Sequence, residues 1–231
     1  MKILQDYTLE ELKIIISNLG EASFRAKQIY LGLYSGLKIS EISNISKELK
    51  EKLLKEYVDD PAEIIDRLIS KDGTEKYLIK LYDGNVVEGV FMKNKYGNTE
   101  CLSTQVGCRM GCKFCASGIG GLVRNLSSGE MLATVAAINR LTGGNLKTRS
   151  VTNVVLMGSG EPLDNYDNVI KFLRLLSDEN GLNVSPRNIS LSTCGLVPEM
   201  YKLANEGLPV NLTVSLHNPF DDKRIELMTI A

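Results

Sequence analysis

The chain opens with apolar residues at helical spacing. Leu9, Leu12, Ile15 and Ile16 fall on one stripe, with Thr8 and Glu11 at capping-box spacing before it and Gly20 placed to close it. "SFRAKQIYLGLY" and "SKELKEKLLKEY" repeat the period, the second behind a Ser46 cap, so residues 1–60 read as a small helical domain. From Pro61 the period shortens towards two. The segments "EIIDRLIS", "EKYLIKLY" and "NVVEGVFMK" are separated by Asp72-Gly73 and Asp83-Gly84, dipeptides that favour tight hairpin turns, and predict a three-stranded meander within residues 61–98. In its last strand Val86, Glu88, Val90 and Met92 share a face, which sets the Glu88 carboxylate among apolar neighbours. Two readings follow: a glutamate at a solvated sheet edge, or a base whose pKa is raised.

From about residue 99 strands alternate with helices. "CLSTQVG", "VTNVVLMG", "NISLSTCG" and "NLTVSLH" read as strands; the helices begin at the Ser127/Glu130 capping box and at "YDNVIKFLRLLS", "PEMYKLANEG" and "DDKRIELM". Apolar strands alternating with helices predict an α/β fold, a parallel sheet with helices outside, either open or curved into a barrel. Ligands of such folds gather at the carboxyl ends of the strands. The cysteine loop, Gly158 to Pro162, Ser192 to Gly195 and Ser215 to His217 all fall there.

Composition narrows the class without choosing a function. The 231 residues carry 43% hydrophobic and 24% charged side chains, an ordinary soluble composition long enough for one large domain or a medium one with a small companion. No apolar run approaches the roughly 20 residues that span a bilayer, and "MKILQDYTLE" is too charged for a secretory signal, so a cytoplasmic protein without a membrane partner is expected. A net charge of −1 gives no basic excess, so charge alone does not point to nucleic acid. The odd count of five cysteines argues against a disulfide framework and for metal or redox chemistry.

Three of those cysteines stand in "GCRMGCKFCASG" at C-x3-C-x2-C spacing. Structural zinc takes four ligands, commonly from two cysteine pairs, and one cluster is present; a Cys3His site using His217, the sole histidine, is the zinc alternative. An iron-sulfur cluster normally takes four thiolates. Three from the protein would leave one iron open for chemistry.

Cys108, Cys112 and Cys115, with Phe114 just before the last, resemble the C-x3-C-x-aromatic-C signature of the radical S-adenosylmethionine (SAM) superfamily, and "VLMGSGEPL" resembles its Gly-Glu-Pro motif. "CLSTQVGCRMGCKFCASGIGGLVRNLSSGE", "MGSGEPLDNY", "LSTCGLVP" and "LTVSLHNP" together resemble the RlmN/Cfr family of RNA adenine methyltransferases. "FRAKQIY" and "SKDGTEKYLIKLYDGNVVEGVFMK" resemble its N-terminal accessory region, so the similarity covers the whole chain.

The resemblance implies a partial (β/α)6 barrel over residues 99–231, preceded by an RNA-contacting helical domain over 1–60 and a β-hairpin extension over 61–98. It implies a 4Fe-4S cluster on Cys108, Cys112 and Cys115, and SAM bound by Gly160, Glu161, Ser192, Ser215, Leu216 and His217. Cys101 matches the thiol that resolves an enzyme–RNA crosslink through a disulfide, and Glu88 matches the proton acceptor. The implied reaction methylates adenine C2, in 23S ribosomal RNA and beside the anticodon of tRNAs. One SAM methylates a cysteine and a second yields the radical that activates that methyl. Adenine C2 is not nucleophilic, so polar methyl transfer does not reach it. Implied partners are these RNAs and a one-electron donor of the flavodoxin type, with the protein a monomer. The family's C8 methyltransferases, and a non-catalytic fragment that binds cluster and SAM, are the alternatives.

The chain also departs from the family's pattern. There the methyl-carrying cysteine and a cofactor-contacting Asn lie beyond position 231, and six barrel strands stand where four are read here, so the resemblance implies truncation at the C terminus. Ser159 replaces the usual Met or Gly, and "MTIA" replaces Met-Pro-Ile-Asn. The last strand is expected to leave an apolar edge open.

Overall fold

A computed structural model describes residues 2–229. Ile230 and Ala231, the end of the "MTIA" segment, lie outside the described residues. The helical opening forms α1 (Leu9–Asn18), α2 (Phe24–Tyr34) and α3 (Lys47–Leu54). The Thr8–Glu11 capping box closes in both directions, and Ser46 Oγ accepts the Leu49 N–H. Leu12, Ile16, Ile29, Leu33, Leu49 and Leu53 are buried, as the helical stripes require.

Three antiparallel strands follow, β1 (Ala62–Ile69), β2 (Glu75–Leu81) and β3 (Val86–Met92), with Gly73 and Gly84 at the turns. The strand expected over 101–107 is split. β4 (Thr99–Leu102) stays in the main sheet, while β5 (Gln105–Gly107) leaves it to pair with β6 (Leu122–Asn125) in a separate two-stranded ribbon. The cause is hydrogen bonding outside the strand ladder: the N–H groups of Thr104 and Gln105 both donate to Ser159 O in the loop after Leu156, and Ser103 Oγ donates to Glu88 O.

The alternating half then runs α4 (Ser128–Leu141), β7 (Asn153–Leu156), α5 (Tyr166–Leu176), β8 (Ile189–Thr193), α6 (Val197–Ala204), β9 (Asn211–Val214) and α7 (Asp221–Leu227). The main sheet has the order β1-β2-β3-β4-β7-β8-β9, antiparallel as far as β4 and parallel from β4 to β9. Meander and parallel strands therefore share one mixed sheet. One face, with Phe91, Leu102, Val154, Leu156, Ile189 and Leu191, is buried in an apolar cluster with α4, α5 and the N-terminal helices. The other face carries Val90, Cys101, Val155 and Ser190 side by side in register, none of them fully buried. Among the described residues β9 pairs with β8 alone, and its Leu212 and Val214 are exposed. No described helix is long and apolar enough to cross a membrane.

Candidate active site

The β5–β6 ribbon is the stem of the cysteine loop. Cys108 N–H donates to Gly121 O at 3.0 Å, so both ends of the loop meet. Gly107 makes this closure possible: its φ is +76°, and a Cβ there would stand 2.0 Å from Gly121 O. The Cys115 N–H turns back onto Cys112 O at 3.1 Å. Cys108 and Cys112 pack with Met110, Cys194, Leu196 and Met228, whereas Cys115 is exposed. Burial pushes the Cys108 and Cys112 thiols up, and the neighbouring thiols and Glu161 add to it. The far end of the loop is pinned from the C-terminal side by Lys113 N–H to Leu227 O (2.9 Å) and Thr229 Oγ1 to Met110 O (3.2 Å).

The loop after β7 meets this one. Ser117 Oγ reaches Ser159 Oγ at 3.3 Å. Glu161 is 4% exposed; its Oε1 accepts the Leu163 N–H at 3.0 Å and its Oε2 the Cys194 N–H at 2.7 Å. Gly160 has a φ of +103°, and a Cβ on it would come within 2.5 Å of the Gln105 side chain. Ser192 and Ser215 face each other across β8 and the end of β9, with Oγ atoms 3.3 Å apart. His217, at φ +55°, lays its ring 4.4 Å from that of Phe114, and Leu216 beside it is half-exposed. Arg224 of α7 donates to the carbonyls of Cys194, Ser215 and Leu216, tying the ends of β8 and β9 together. The cysteine loop and Gly160, Glu161, Ser192, Ser215, Leu216 and His217 thus stand together at the carboxyl ends of the parallel strands.

Residues 102–229 match the family model of the radical SAM superfamily, and residues 3–58 match the N-terminal domain of ribosomal RNA large subunit methyltransferases. The chain is 53% identical to a probable dual-specificity RNA methyltransferase RlmN of Lachnoclostridium phytofermentans, aligning 97% of this chain with 62% of that protein. It is 48% identical to the protein of the same description in Clostridium novyi, aligning 100% of this chain with 67% of that one. The chain belongs to the RlmN family of the radical SAM superfamily. A crystal structure of a radical SAM methyltransferase from Sphaerobacter thermophilus superposes with a TM-score of 0.93 at 38% identity, covering all of this chain and 68% of the other.

For a radical SAM protein the donor chemistry of the loop fits. Three free thiols from one short loop, two of them packed among sulfur-bearing and aliphatic side chains, are the soft donors that iron-sulfur clusters take. Among the described residues no three His, Cys, Asp or Glu side chains form a ready metal cage, so the loop brings the thiols together without closing one.

Two residues that the RlmN/Cfr resemblance singles out stand back from this rim, on the open sheet face. Cys101 lies opposite Val90, and Glu88 follows on the same face by strand alternation. Of the two readings of Glu88, the solvated glutamate is the one the structure gives, although β3 is an inner strand rather than a sheet edge. The Glu88 side chain is 52% exposed and ion-paired with Lys76 on the adjoining strand, because the helices cover the other face of the sheet. Cys101 is half-buried, and burial pushes its thiol up, with Glu100 adding to it.

Four polar residues of the site escaped the sequence reading: Gln105, Asp164, Asn165 and Arg224. Asn165 is buried and donates to Thr104 O and Leu126 O, holding the root of the ribbon. For Gln105 the available signal was a polar amide within an apolar strand, which has to find partners when buried.

Proposed function

We propose that this chain carries the cluster- and SAM-binding region of an RNA methyltransferase of the RlmN type, which methylates C2 of adenosine in 23S ribosomal RNA and in tRNAs. The observation that carries the reading is the meeting of the Cys108–Cys115 loop with the buried Glu161 carboxylate at the strand ends. The match of residues 3–58 to a ribosomal RNA methyltransferase domain supports RNA as the substrate.

In this reading Cys108, Cys112 and Cys115 hold a 4Fe-4S cluster, and Gly160, Glu161, Ser192, Ser215, Leu216 and His217 hold SAM. When bound, the pair supplies one-electron cleavage of SAM to methionine and a 5′-deoxyadenosyl radical. The protein's residues do the rest. Glu161, low in exposure and fixed by two backbone N–H groups, offers a positioned anion to the ammonium of an amino acid moiety. The Ser192 and Ser215 hydroxyls give neutral hydrogen bonds beside it, and the Phe114–His217 pair gives a ring surface at the mouth. Glu88 would accept the proton lost from adenine C2, with Lys76 holding its carboxylate in place. Cys101, on the same face, would attack the sulfur of the methyl-carrying cysteine, which in the family lies beyond position 231, so that a disulfide forms as that sulfur's bond to the RNA-linked carbon breaks and the electron pair leaves with the RNA product. A flavodoxin-type protein would supply the electron, and the helical N-terminal domain would contact the RNA.

The test is anaerobic reconstitution of the chain with iron and sulfide, followed by SAM and a chemical reductant. The wild-type chain should release 5′-deoxyadenosine and methionine in equal amounts; the Cys112→Ala chain should release neither while melting at the same temperature without metal. Absence of both products from a wild-type chain that melts cooperatively would overturn the reading.

A further inference from the structure

Gln105 is the first residue of β5 and fully buried, and every hydrogen-bonding direction of its amide leads to a different part of the site. Its Oε1 accepts the N–H of Glu161 at 2.8 Å. Its Nε2 donates to Asn125 Oδ1 on the other leg of the ribbon at 2.8 Å, and to Asp164 Oδ2 at 2.9 Å. Asp164, with a side chain 8% exposed, in turn receives Nε of Arg109, the residue after Cys108, at 3.1 and 3.0 Å from its two oxygens. At the other end of the path Glu161 Oε2 takes the Cys194 N–H. The loop bearing Glu161 is pressed onto this side chain, since Gly160 leaves no room for a Cβ against it.

A buried amide costs stability unless its donors and acceptor are all met, and here each partner belongs to a segment that has to be placed relative to the others. We infer that Gln105 is a positioning residue: one amide holds the cysteine loop, through β6 and through Asp164 and Arg109, in register with Glu161. This rests on the proposed role of Glu161 toward SAM, yet Gln105 itself touches neither thiol nor cofactor in that role. Networks of this kind act as units, because a hydrogen bond lost inside leaves its partner unsatisfied.

Gln105→Leu keeps the bulk and removes all three hydrogen bonds. Asp164→Asn is near-isosteric and weakens only the branch that runs from Gln105 through Asp164 to Arg109. Hydrogen exchange on the metal-free chain reads the first link directly. In Gln105→Leu the Glu161 amide should exchange faster by about tenfold or more, a loss of roughly one hydrogen bond's worth of protection, while amides in α1 and α2 keep wild-type rates. After reconstitution to equal iron content, the SAM concentration that perturbs the reduced cluster's electron paramagnetic resonance spectrum should rise by about tenfold in Gln105→Leu, and by less in Asp164→Asn. Unchanged Glu161 exchange, or a wild-type SAM concentration at equal iron, overturns the inference. So does faster exchange spread evenly over α4, α5 and the ribbon with a lowered melting temperature, since that marks general loosening. Should Gln105→Leu not fold, Asp164→Asn decides: a wild-type melting temperature with no change in either readout overturns it. A wild-type chain that takes up no iron refutes the proposed function instead, and the exchange comparison still decides the role of Gln105.

Discussion

Glu100 carries the sharpest chemistry outside the candidate site. It lies between Thr99 and Cys101 on β4 and points to the helix-covered face, fully buried, with neither carboxylate oxygen hydrogen-bonded. Burial alone pushes its pKa up to about 8. An unfolded glutamate titrates near 4.3, so the folded state binds the proton more tightly. The stability tied to that proton is therefore full below about pH 4 and lost as pH rises towards about 8. Glu100→Gln should flatten the melting temperature against pH over that window, and at pH 9 it should be more stable than wild type by on the order of a few kcal/mol. Parallel melting curves for the two proteins from pH 5 to 9 would show that the carboxyl finds a partner or water that keeps it charged. At the same scale, Glu88 shows what residue patterns leave open. Alternation in β3 grouped the right side chains, but which group meets the helices depends on packing from elsewhere in the chain.

At the scale of elements, the ribbon that carries the cysteine loop is held by Arg124 on β6. Its guanidinium donates to both oxygens of Glu130 at 2.8 and 2.7 Å and to Asp83 Oδ2 at 2.6 Å. Glu130 is fully buried and also completes the Ser127 capping box at the start of α4. The Asp83 carboxyl is held well below the usual range, first by this guanidinium. Removing one partner strands a buried charge, so Arg124→Ala should cost about 3 kcal/mol in chemical denaturation, and Arg124→Lys less. A loss within about 0.5 kcal/mol for Arg124→Ala would mean that water replaces the guanidinium. The features the sequence made legible here are local ones. The capping boxes at Thr8 and Ser127, the Ser46 cap and the two Asp-Gly turns each depend on residues within four of one another. The cysteine loop was legible for the same reason. The division of 101–107 into two strands was not, because its cause is the bonding of Ser103, Thr104 and Gln105 to Ser159, which for Ser103 lies 56 residues away along the chain. Gln105, Asp164 and Arg224 were missed on the same ground: their partners come from other elements.

Over the whole molecule, the helical opening is joined to the sheet rather than tethered beside it. Tyr30 donates to Asp178 at 2.8 Å, Tyr34 to Leu175 O at 3.2 Å, and Asp6 Oδ1 accepts Ser128 Oγ and the Gly129 N–H at 2.7 and 2.6 Å. One apolar cluster runs from Leu12 and Tyr30 to Leu156 and Leu191. Heat should unfold the chain in a single cooperative transition; separate transitions by tyrosine fluorescence and far-ultraviolet dichroism would contradict that. If the opening helices contact RNA, exposed Lys27 and Lys55 are candidates to touch phosphate. Replacing both with Ala should then weaken binding and lower the slope of log affinity against log salt by about one to two. An unaltered slope places the RNA elsewhere.

Whether the cysteine loop and Glu161 act as one site is decided by the electron paramagnetic resonance spectrum of the reconstituted, reduced chain, recorded with and without SAM, beside a Glu161→Ala chain of equal iron content. A single site should give a cluster signal that SAM shifts in the wild-type chain and leaves in place in Glu161→Ala. A cluster signal indifferent to SAM in both chains, or shifted equally in both, would contradict it.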